Sequence, residues 1–485
     1  MDQGSAAIAA RMNRLPLTPT LRRVIVTVGL ALFFDMFEIF MSGVLGAVLA
    51  EEYQLGRTEV SAVMASVFVG MFIGVLAMGR LAHRLGRRRA LLLAVAVYTV
   101  FSALGAVGDE VWMVVGARFL AGLGIGPVLP LADAYLGDLL PSRSRGRYTA
   151  WAYTIAFTGV PAVGLLARWL EPMDPLGLAG WRWLFLTGAA GGLSVLLLRH
   201  RLVESPRWLA SVGRTAEAEA VLARLEAESG DRAGPSAAAR PAGTEVAPDR
   251  RPAAVVRTRL SPVHRRRVAM LAVFHLLQAF GGYGFGTMAP LVLADKGYSI
   301  VNSLLFSAVT FVGYPLGSLL SVPLMERVER KHLIVATSLA MAGSGLLFGF
   351  ARGEPMIIIS GLCFTAVTNV FSNAYHVYQA EIFPTAARVS AVSWTYSLSR
   401  LTTAAMPFIM VPFLAAHGPG ALFAGVALTL IAIAVNIGVL GPTTNGLALE
   451  EMNEALARPP AGTRLKVPGA PGDGKGDGKR VRDPR

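Results

Sequence analysis

Residues 135–145 read YLGDLLPSRSR, and residues 378–388 read YQAEIFPTAAR. The second stretch keeps the tyrosine, the acid, the proline and the arginine at the same spacing, 243 positions after the first. Each stretch follows one long apolar segment and precedes another. A polar pattern repeated between apolar segments, half a chain apart, is typical of a duplicated membrane protein.

The composition favours a helical membrane protein over soluble domains. Of 485 residues, 54% are hydrophobic and 16% are charged, whereas soluble domains carry about 25% charged residues. The apolar segments approach the ~20 residues that a helix needs to cross a bilayer. They lack the alternating pattern of β-barrel strands.

Twelve apolar segments predict twelve transmembrane helices in two groups of six. They lie at 24–49, 60–80, 90–107, 111–137, 149–169, 182–200, 268–293, 301–325, 333–351, 355–380, 389–415 and 419–440. Within the long break between the groups, residues 215–228 predict a short amphipathic helix and residues 237–251 a flexible linker. We therefore predict a tail at 1–23, one bundle at 24–200, a central loop at 201–267, a second bundle at 268–440 and a mostly disordered tail at 441–485.

Positive charge lies in alternate loops, which predicts the orientation. Arginine and lysine cluster at 84–89, 143–147 and 327–331 and in the central loop, whereas the opposite loops are nearly bare. The positive-inside rule then places both termini in the cytoplasm. The net charge of +14 follows from these loops, so we expect no nucleic-acid partner. The basic N-terminus is interpreted as a tail and not a cleaved signal, and a single cysteine forms no intrachain disulfide.

The offset of 243 positions also relates other residues, which indicates a duplication of the whole bundle. Arg84, Arg87 and Arg88 correspond to Arg327, Arg330 and Lys331, and Asp35 corresponds to Gln278. The expected fold is therefore all-α, with two pseudo-symmetric six-helix bundles.

Several motifs resemble those of the major facilitator superfamily. GRLAHRLGRR at 79–88 resembles its loop signature after the second helix, and RFLAGLGIG at 118–126 resembles its fourth-helix signature. ESPRWL at 204–209 and GPTTNG at 441–446 are similar to sequences of the sugar porters and related metabolite:proton symporters. The resemblance covers about 24–455 and implies transport by alternating access.

Three positions depart from that pattern. His83 stands where the loop signature usually has aspartate, and Thr443 and Asn445 replace the acid and the lysine of the sugar-porter ending. These departures weaken a prediction of sugar specificity.

Charged residues at the predicted cytoplasmic ends of the spans suggest a gate of ion pairs. The functional hypothesis is that the pairs form when the carrier faces outward, and the resemblance adds Glu204 and Arg207. The alternative is that the arginines only obey the positive-inside rule. The predicted gate residues are Arg84, Arg87, Asp138, Arg145, Glu204, Arg327, Glu381 and Arg388.

Asp35 and Glu38 are the candidate proton-coupling residues. Asp35 lies about 18 Å along the first span, near the middle of the bilayer, and Glu38 lies one turn further on the same face. An acid there costs about 2.5–3.5 kcal/mol on insertion scales and normally faces a cavity or a partner. The sequence FFDMFEIF at 33–40 also resembles the acidic pair of symporters for aromatic and other organic acids. The alternative is a structural acid paired to a neighbouring helix.

Arg400 is a candidate ligand for a substrate carboxylate, because a guanidinium matches that group bidentately. It is equally a candidate for the permanent partner of Asp35 or Glu38. Arg118 is interpreted, by resemblance, as a coupling or structural residue, and Asp133 as a partner of an arginine at the gate.

Polar and aromatic residues of the second bundle supply further candidates for a binding site. Gln278 ranks first among them as the counterpart of Asp35. His275 and His376 are interpreted as structural in preference to proton shuttles. Gly281, Gly282, Gly284 and Gly286 predict close helix packing or a helix break. The predicted substrate-binding residues are Arg400, Gln278, Tyr283, Asn369, Asn373 and Tyr396.

The sequence thus predicts a secondary transporter of the cytoplasmic membrane, not an enzyme, that moves an organic or aromatic carboxylate with protons. Efflux of a hydrophobic compound by proton antiport and transport of a sugar or polyol remain alternatives. The expected partners are a small solute, protons and the lipid bilayer, with a monomer as the working unit. No nucleotide, metal or cofactor motif is found, so we expect no cofactor.

Overall fold

Long α-helices make up the described part of the protein, which is a computed structural model. The structure describes residues 3–141, 145–229, 262–383 and 385–443. The predicted linker at 237–251 and the tail beyond residue 443 lie outside these ranges. So do the side chains of His83, Arg388 and Trp394.

The first half of the chain forms spans 1 to 6. Span 5 consists of two helices, because Pro161 lacks an N–H and its ring crowds the carbonyl of Phe157, where the first helix ends. The spans are, in order, Pro19–Glu52, Arg57–Leu85, Arg87–Ala106, Val111–Leu139, Arg145–Phe157 with Gly159–Leu170, and Gly180–Leu197.

The second half forms spans 7 to 12. Span 8 is divided in the same way as span 5, four residues before Pro315. A long helix, Thr385–Leu440, is broken at Gly418, whose φ of 77° and ψ of 175° are not helical. This break separates span 11 (385–417) from span 12 (419–440). The other spans are Pro262–Asp295, Ile300–Phe311 with Gly313–Arg327, Arg330–Phe350, and Glu354–Glu381.

These helices confirm the predicted all-α membrane fold with twelve spans. Eleven stretches are long and apolar enough to cross a membrane, and the last of them contains spans 11 and 12. Spans 1 and 7 extend beyond their predicted limits, since a helix continues past the hydrocarbon into polar residues that hydropathy does not count.

A small helical cap covers the end of the molecule that carries the basic loops. Its helices are Gln3–Arg14, Pro206–Ser211 and Thr215–Ala227. Arg11 joins the first to the third through Glu226 at 2.6 Å and Glu219 at 2.7 Å. The predicted amphipathic helix is therefore present and packs against the N-terminal segment.

The packing inside the two halves repeats with the offset of the sequence pattern. A Cβ atom on Gly74 of span 2 would overlap the carbonyl oxygen of Leu123 in span 4. The counterparts 243 positions later, Gly317 and Ala366, make the same close approach between spans 8 and 10. Small residues let helix backbones approach closely in membranes, and here both halves use that device at the same place.

The repeated tyrosines fasten equivalent helix ends. The hydroxyl of Tyr135 donates a hydrogen bond to the carbonyl of Val203, after span 6. The hydroxyl of Tyr378 donates to the carbonyl of Pro442, after span 12, at 2.9 Å. The sequence pattern therefore ties the last residues of each half to its fourth helix.

The two halves meet tightly at the end away from the basic loops. A Cβ on Gly43 of span 1 would overlap the backbone carbonyl of Thr287 in span 7. Ser61 of span 2 donates a hydrogen bond to the carbonyl of Pro407 in span 11 at 3.2 Å. With the predicted orientation, this is the extracellular end, and it is closed.

We expect Gly74→Ala and Gly317→Ala each to destabilise the protein by about 1–3 kcal/mol, because each added methyl forces two backbones apart. Thermal unfolding of the purified protein in detergent measures the change. Gly116→Ala is the matched control, since a Cβ at Gly116 meets nothing within 4 Å. Equal unfolding temperatures for all three variants would contradict the role of close packing.

Candidate functional site

A cavity of about 1180 Å³ lies between the two halves. Met36 and Phe40 of span 1 line its deep end, and Arg145 and Arg147 lie at its other end, beside the basic loops. With the predicted orientation the cavity faces the cytoplasm, and the close packing described above seals it from outside. Under that orientation, the structure corresponds to an inward-facing arrangement.

Aromatic side chains form much of the cavity wall. Tyr314 stacks on Phe157 with ring centroids 6.1 Å apart and packs edge-on against Phe40 at 5.4 Å. These contacts join the two halves across the cavity. The lining aromatic residues of the described chain are Phe40, Trp151, Tyr153, Phe157, Tyr283, Tyr314, Phe371, Tyr375 and Tyr396.

Arg400 lies directly behind this wall. It is 3% exposed and donates hydrogen bonds to the hydroxyls of Tyr396 at 2.7 Å and Tyr283 at 3.2 Å. Its guanidinium also lies 5.1 Å and 5.5 Å from the centres of those rings. Among the described residues it forms no salt bridge. A buried cation without an acidic partner favours an anion nearby.

Asp35 is buried in span 1 and does not line the cavity. It is 1% exposed, and neither carboxylate oxygen accepts a hydrogen bond from any described residue. The guanidinium of Arg400 attracts this carboxylate, and Glu38 repels it. An acid without a hydrogen-bond partner, within the field of one arginine, is suited to gain and lose a proton.

Glu38 has a quite different environment, a closed ion pair. Arg118 of span 4 donates to its carboxylate at 2.6 Å and to its backbone carbonyl at 2.6 Å, and Ser102 donates to it at 2.5 Å. Glu38 and Arg118 are both fully buried. The sequence analysis named Arg400 as a candidate partner of Glu38, whereas the structure pairs Glu38 with Arg118.

Asp133 faces the cavity from span 4 and is held by Tyr153 of span 5. The tyrosine hydroxyl donates to the carboxylate at 2.8 Å. The expectation that Asp133 pairs with an arginine of the gate is not met among the described residues. Arg145 and Arg147 of the cavity mouth lie about two helical turns before Tyr153 on span 5.

The amide candidates line the cavity but are engaged with the protein. The amide nitrogen of Gln278 donates to Ser399 at 2.5 Å, that of Asn369 to the carbonyl of Tyr314 at 2.6 Å, and that of Asn373 to Ser321 at 2.7 Å. Tyr283 and Tyr396 line the same wall. The structure thus brings the predicted substrate-binding residues together around one cavity, with Arg400 behind it.

The charged residues of the predicted gate form contacts within each half. Arg87 approaches Asp138 at 3.3 Å, and the counterparts Arg330 and Glu381 approach each other at 3.6 Å. Glu204 accepts a hydrogen bond from the backbone N–H of Arg88 at 3.1 Å. Arg84 and Arg327 are exposed at the same end.

Arg207 joins the charged cluster of the first half. Burial lowers the pKa of its guanidinium and the charge of Arg145 lowers it further, whereas Asp138 opposes this change. Among the described residues, no ion pair at this end crosses between the halves. A gate that closes across the halves therefore requires these residues to exchange partners.

Sequence reasoning missed Tyr153 and Tyr314. Tyr153 lies 243 positions before Tyr396, so extending the repeat to every polar position would have found it. The same offset relates Asp133 to His376, which also lines the cavity. Tyr314 corresponds to Met71, and only the packing of span 8 shows its position.

A duplicated helical bundle with a central cavity and buried charges defines a membrane solute carrier. Residues 22–456 match the sugar (and other) transporter family, and the chain belongs to that family. Because the family consists of transporters, the protein is a carrier and not an enzyme. It is a multi-pass protein of the cytoplasmic membrane.

Two curated relatives and one solved structure illustrate the relationship. A putative metabolite transport protein, YyaJ of Bacillus subtilis, is 31% identical over 90% of this chain and 96% of its own. The niacin transporter NiaP of Acinetobacter baylyi is 25% identical over 92% and 99%. The partially occluded inward open structure of the xylose transporter XylE of E. coli covers 88% of this chain and 99% of its own, with 20% identity and a TM-score of 0.69. That likeness shows the fold.

The gate remains a prediction, and it is tested by removing its acids. We expect Asp138→Asn combined with Glu381→Gln to shift the protein toward the inward-facing state by about tenfold, because a few kcal/mol of ion pairing controls such populations. Labelling of a cysteine introduced at Ser372, a half-buried residue of the cavity wall, in a Cys363→Ser background measures access to the cavity.

The matched control combines Asp109→Asn with Glu110→Gln, which neutralises two exposed acids in the loop between spans 3 and 4. It should leave labelling unchanged. If the gate variant is labelled and transports at the same rates as the parent protein, then Asp138 and Glu381 contribute only to membrane topology or to stability.

Proposed function

We propose that this protein is a proton-coupled symporter for an aromatic carboxylate. The observation that carries the proposal is Arg400, a buried cation held by the two cavity tyrosines, Tyr283 and Tyr396, without an acidic partner among the described residues. A carboxylate entering between these tyrosines would supply the missing negative charge.

The cavity wall supports an aromatic solute. Ring faces and edges offer favourable stacking geometries to another ring. The amide nitrogens of Gln278, Asn369 and Asn373 each donate one hydrogen bond to a protein atom, which fixes these side chains beside the aromatic rings. The niacin transporter among the relatives carries an aromatic carboxylate, in agreement with this proposal.

Proton coupling follows from two anions competing for one cation. When Asp35 is ionised, its charge attracts Arg400 and weakens the attraction that remains for a solute carboxylate. When Asp35 takes up a proton, it no longer competes for Arg400, and the guanidinium attracts the solute carboxylate more strongly. Proton and solute therefore bind together, as symport requires. Glu38 is already neutralised by Arg118, which favours Asp35 as the proton-coupling residue.

The two halves are proposed to move as bodies, with bundles at 24–200 and 268–440 and the polar segments 1–23, 201–267 and 441–485 on the cytoplasmic side. Spans from both halves of one chain line the cavity. A monomer therefore contains a whole transport pathway, and we propose that it is the working unit in the bilayer.

We expect Asp35→Asn to abolish accumulation driven by a pH gradient, because the amide takes up no proton. Exchange of labelled for unlabelled solute, which needs no net proton movement, should persist. Proteoliposomes with an imposed gradient measure both activities. Asp109→Asn is the matched control. Uptake by the wild-type protein that ignores the pH gradient would contradict symport, and stimulation by an opposite gradient would indicate antiport.

We expect Arg400→Gln to weaken carboxylate binding by about 10–100-fold, since a charged hydrogen bond contributes about 1.5–3 kcal/mol. Calorimetric titration of the purified protein with benzoates measures the change. Arg400→Lys should recover part of the affinity through its charge. Arg182→Gln, at an arginine outside the cavity that pairs with Asp109 at 3.2 Å, is the matched control. If the Arg400→Gln variant bound benzoates with unaltered affinity, the assignment of the carboxylate site to Arg400 would be wrong.

A further inference from the structure

We infer that the transported solute carries a positively charged nitrogen in addition to its carboxylate, and that Asp133 binds this nitrogen. The inference rests on the proposed function, because it takes Arg400 as the site of the carboxylate. It names the solute class as a zwitterionic aromatic acid.

Asp133 is an acid within a membrane span that the protein itself does not neutralise. Its side chain is exposed to the cavity, and Tyr153 is its hydrogen-bond donor. Among the described residues no lysine, arginine or histidine forms a salt bridge with it. Acids at this depth are costly and normally serve a function, and the wall position of Asp133 makes it accessible to a bound solute.

The tyrosine of the other half that corresponds to Tyr153 holds a group of the opposite charge. Tyr153 and Tyr396 are 243 positions apart, and both line the cavity. Tyr153 donates to the carboxylate of Asp133, whereas Tyr396 accepts from the guanidinium of Arg400 at 2.7 Å. The charge of Asp133 acts on Tyr396, so the Asp133 carboxylate and the Tyr396 hydroxyl lie within electrostatic range of each other. One pair of equivalent tyrosines thus holds an acid on one half and a cation on the other.

Closure of the cavity makes this arrangement selective. Water solvates Asp133 in the open cavity, but closure removes that water and leaves an uncompensated charge. A simple aromatic carboxylate neutralises Arg400 and does nothing for Asp133. A solute with a cationic nitrogen at its far end neutralises both and links the two halves, so it favours the closed state that transport requires.

Three benzoates of similar size test the inference. They are para-(aminomethyl)benzoate, which is a zwitterion at neutral pH, para-(hydroxymethyl)benzoate and para-methylbenzoate. We expect the wild-type protein to bind the zwitterion about tenfold more tightly than the other two, as one desolvated ion pair provides. Calorimetric titration gives the affinities, and counterflow in proteoliposomes shows which compounds are carried.

Variants assign the preference to its residue. Asp133→Asn should remove the preference for the zwitterion while binding para-methylbenzoate at least as tightly as the wild type. Asp133→Glu should retain the preference, and Asp109→Asn, the same chemical change outside the cavity, should not alter it. Arg400→Gln should weaken the binding of all three compounds.

The outcomes separate the inference from the proposed function. Equal wild-type affinities for the three compounds, all dependent on Arg400, would overturn the inference and leave the function standing. The inference would also be overturned if the Asp133→Asn variant kept the preference for the zwitterion. Equal affinities of the wild-type protein for the hydroxymethyl compound and the zwitterion would overturn it as well. No binding of any benzoate would overturn both. The wild-type comparison stands even if Asp133→Asn does not fold.

Discussion

Hydrocarbon cannot solvate a charge, and this constraint decides where each charged side chain inside the spans lies. Glu38 and Arg118 satisfy each other in a fully buried pair. Arg400 donates to two tyrosine hydroxyls, and Asp133 turns to the cavity, where water or a solute reaches it. Asp35 is the exception, since its oxygens lack partners among the described residues. A group that the protein leaves unsatisfied in the core is a natural place for a proton.

The duplication preserves packing and changes chemistry. The close approach of Gly74 to Leu123 recurs at Gly317 and Ala366. In both halves, small residues let two neighbouring helices pack with their backbones in contact. The ion pair of the first half does not recur. Gly281 and Gly361 occupy the positions that correspond to Glu38 and Arg118. The two helix bundles therefore have similar packing but different charged residues around one cavity. A solute that contacts both bundles meets an asymmetric site.

The fold was largely predictable, and the site only in part. Apolar length and basic loops predict the twelve spans, because crossing a bilayer requires them locally in the sequence. Of the predicted substrate-binding residues, Gln278, Tyr283, Asn369, Asn373 and Tyr396 line the cavity, and Arg400 lies behind its wall. Their partners were not predictable. Arg118, rather than Arg400, pairs with Glu38, since hydropathy and spacing give depth in the membrane but not the facing helix.

The sequence by itself determined that this chain is a duplicated carrier, because the pattern at 135–145 and 378–388 and the spacing of apolar segments are properties of the chain read in order. Tertiary structure decided which charges are neutralised and which remain for a solute. That decision depends on distances of a few ångströms between residues far apart in the chain, as between Arg118 and Glu38. Coulomb and hydrogen-bond energies depend steeply on such distances, so only the packed helices separate the structural ion pair from Asp35, Asp133 and Arg400.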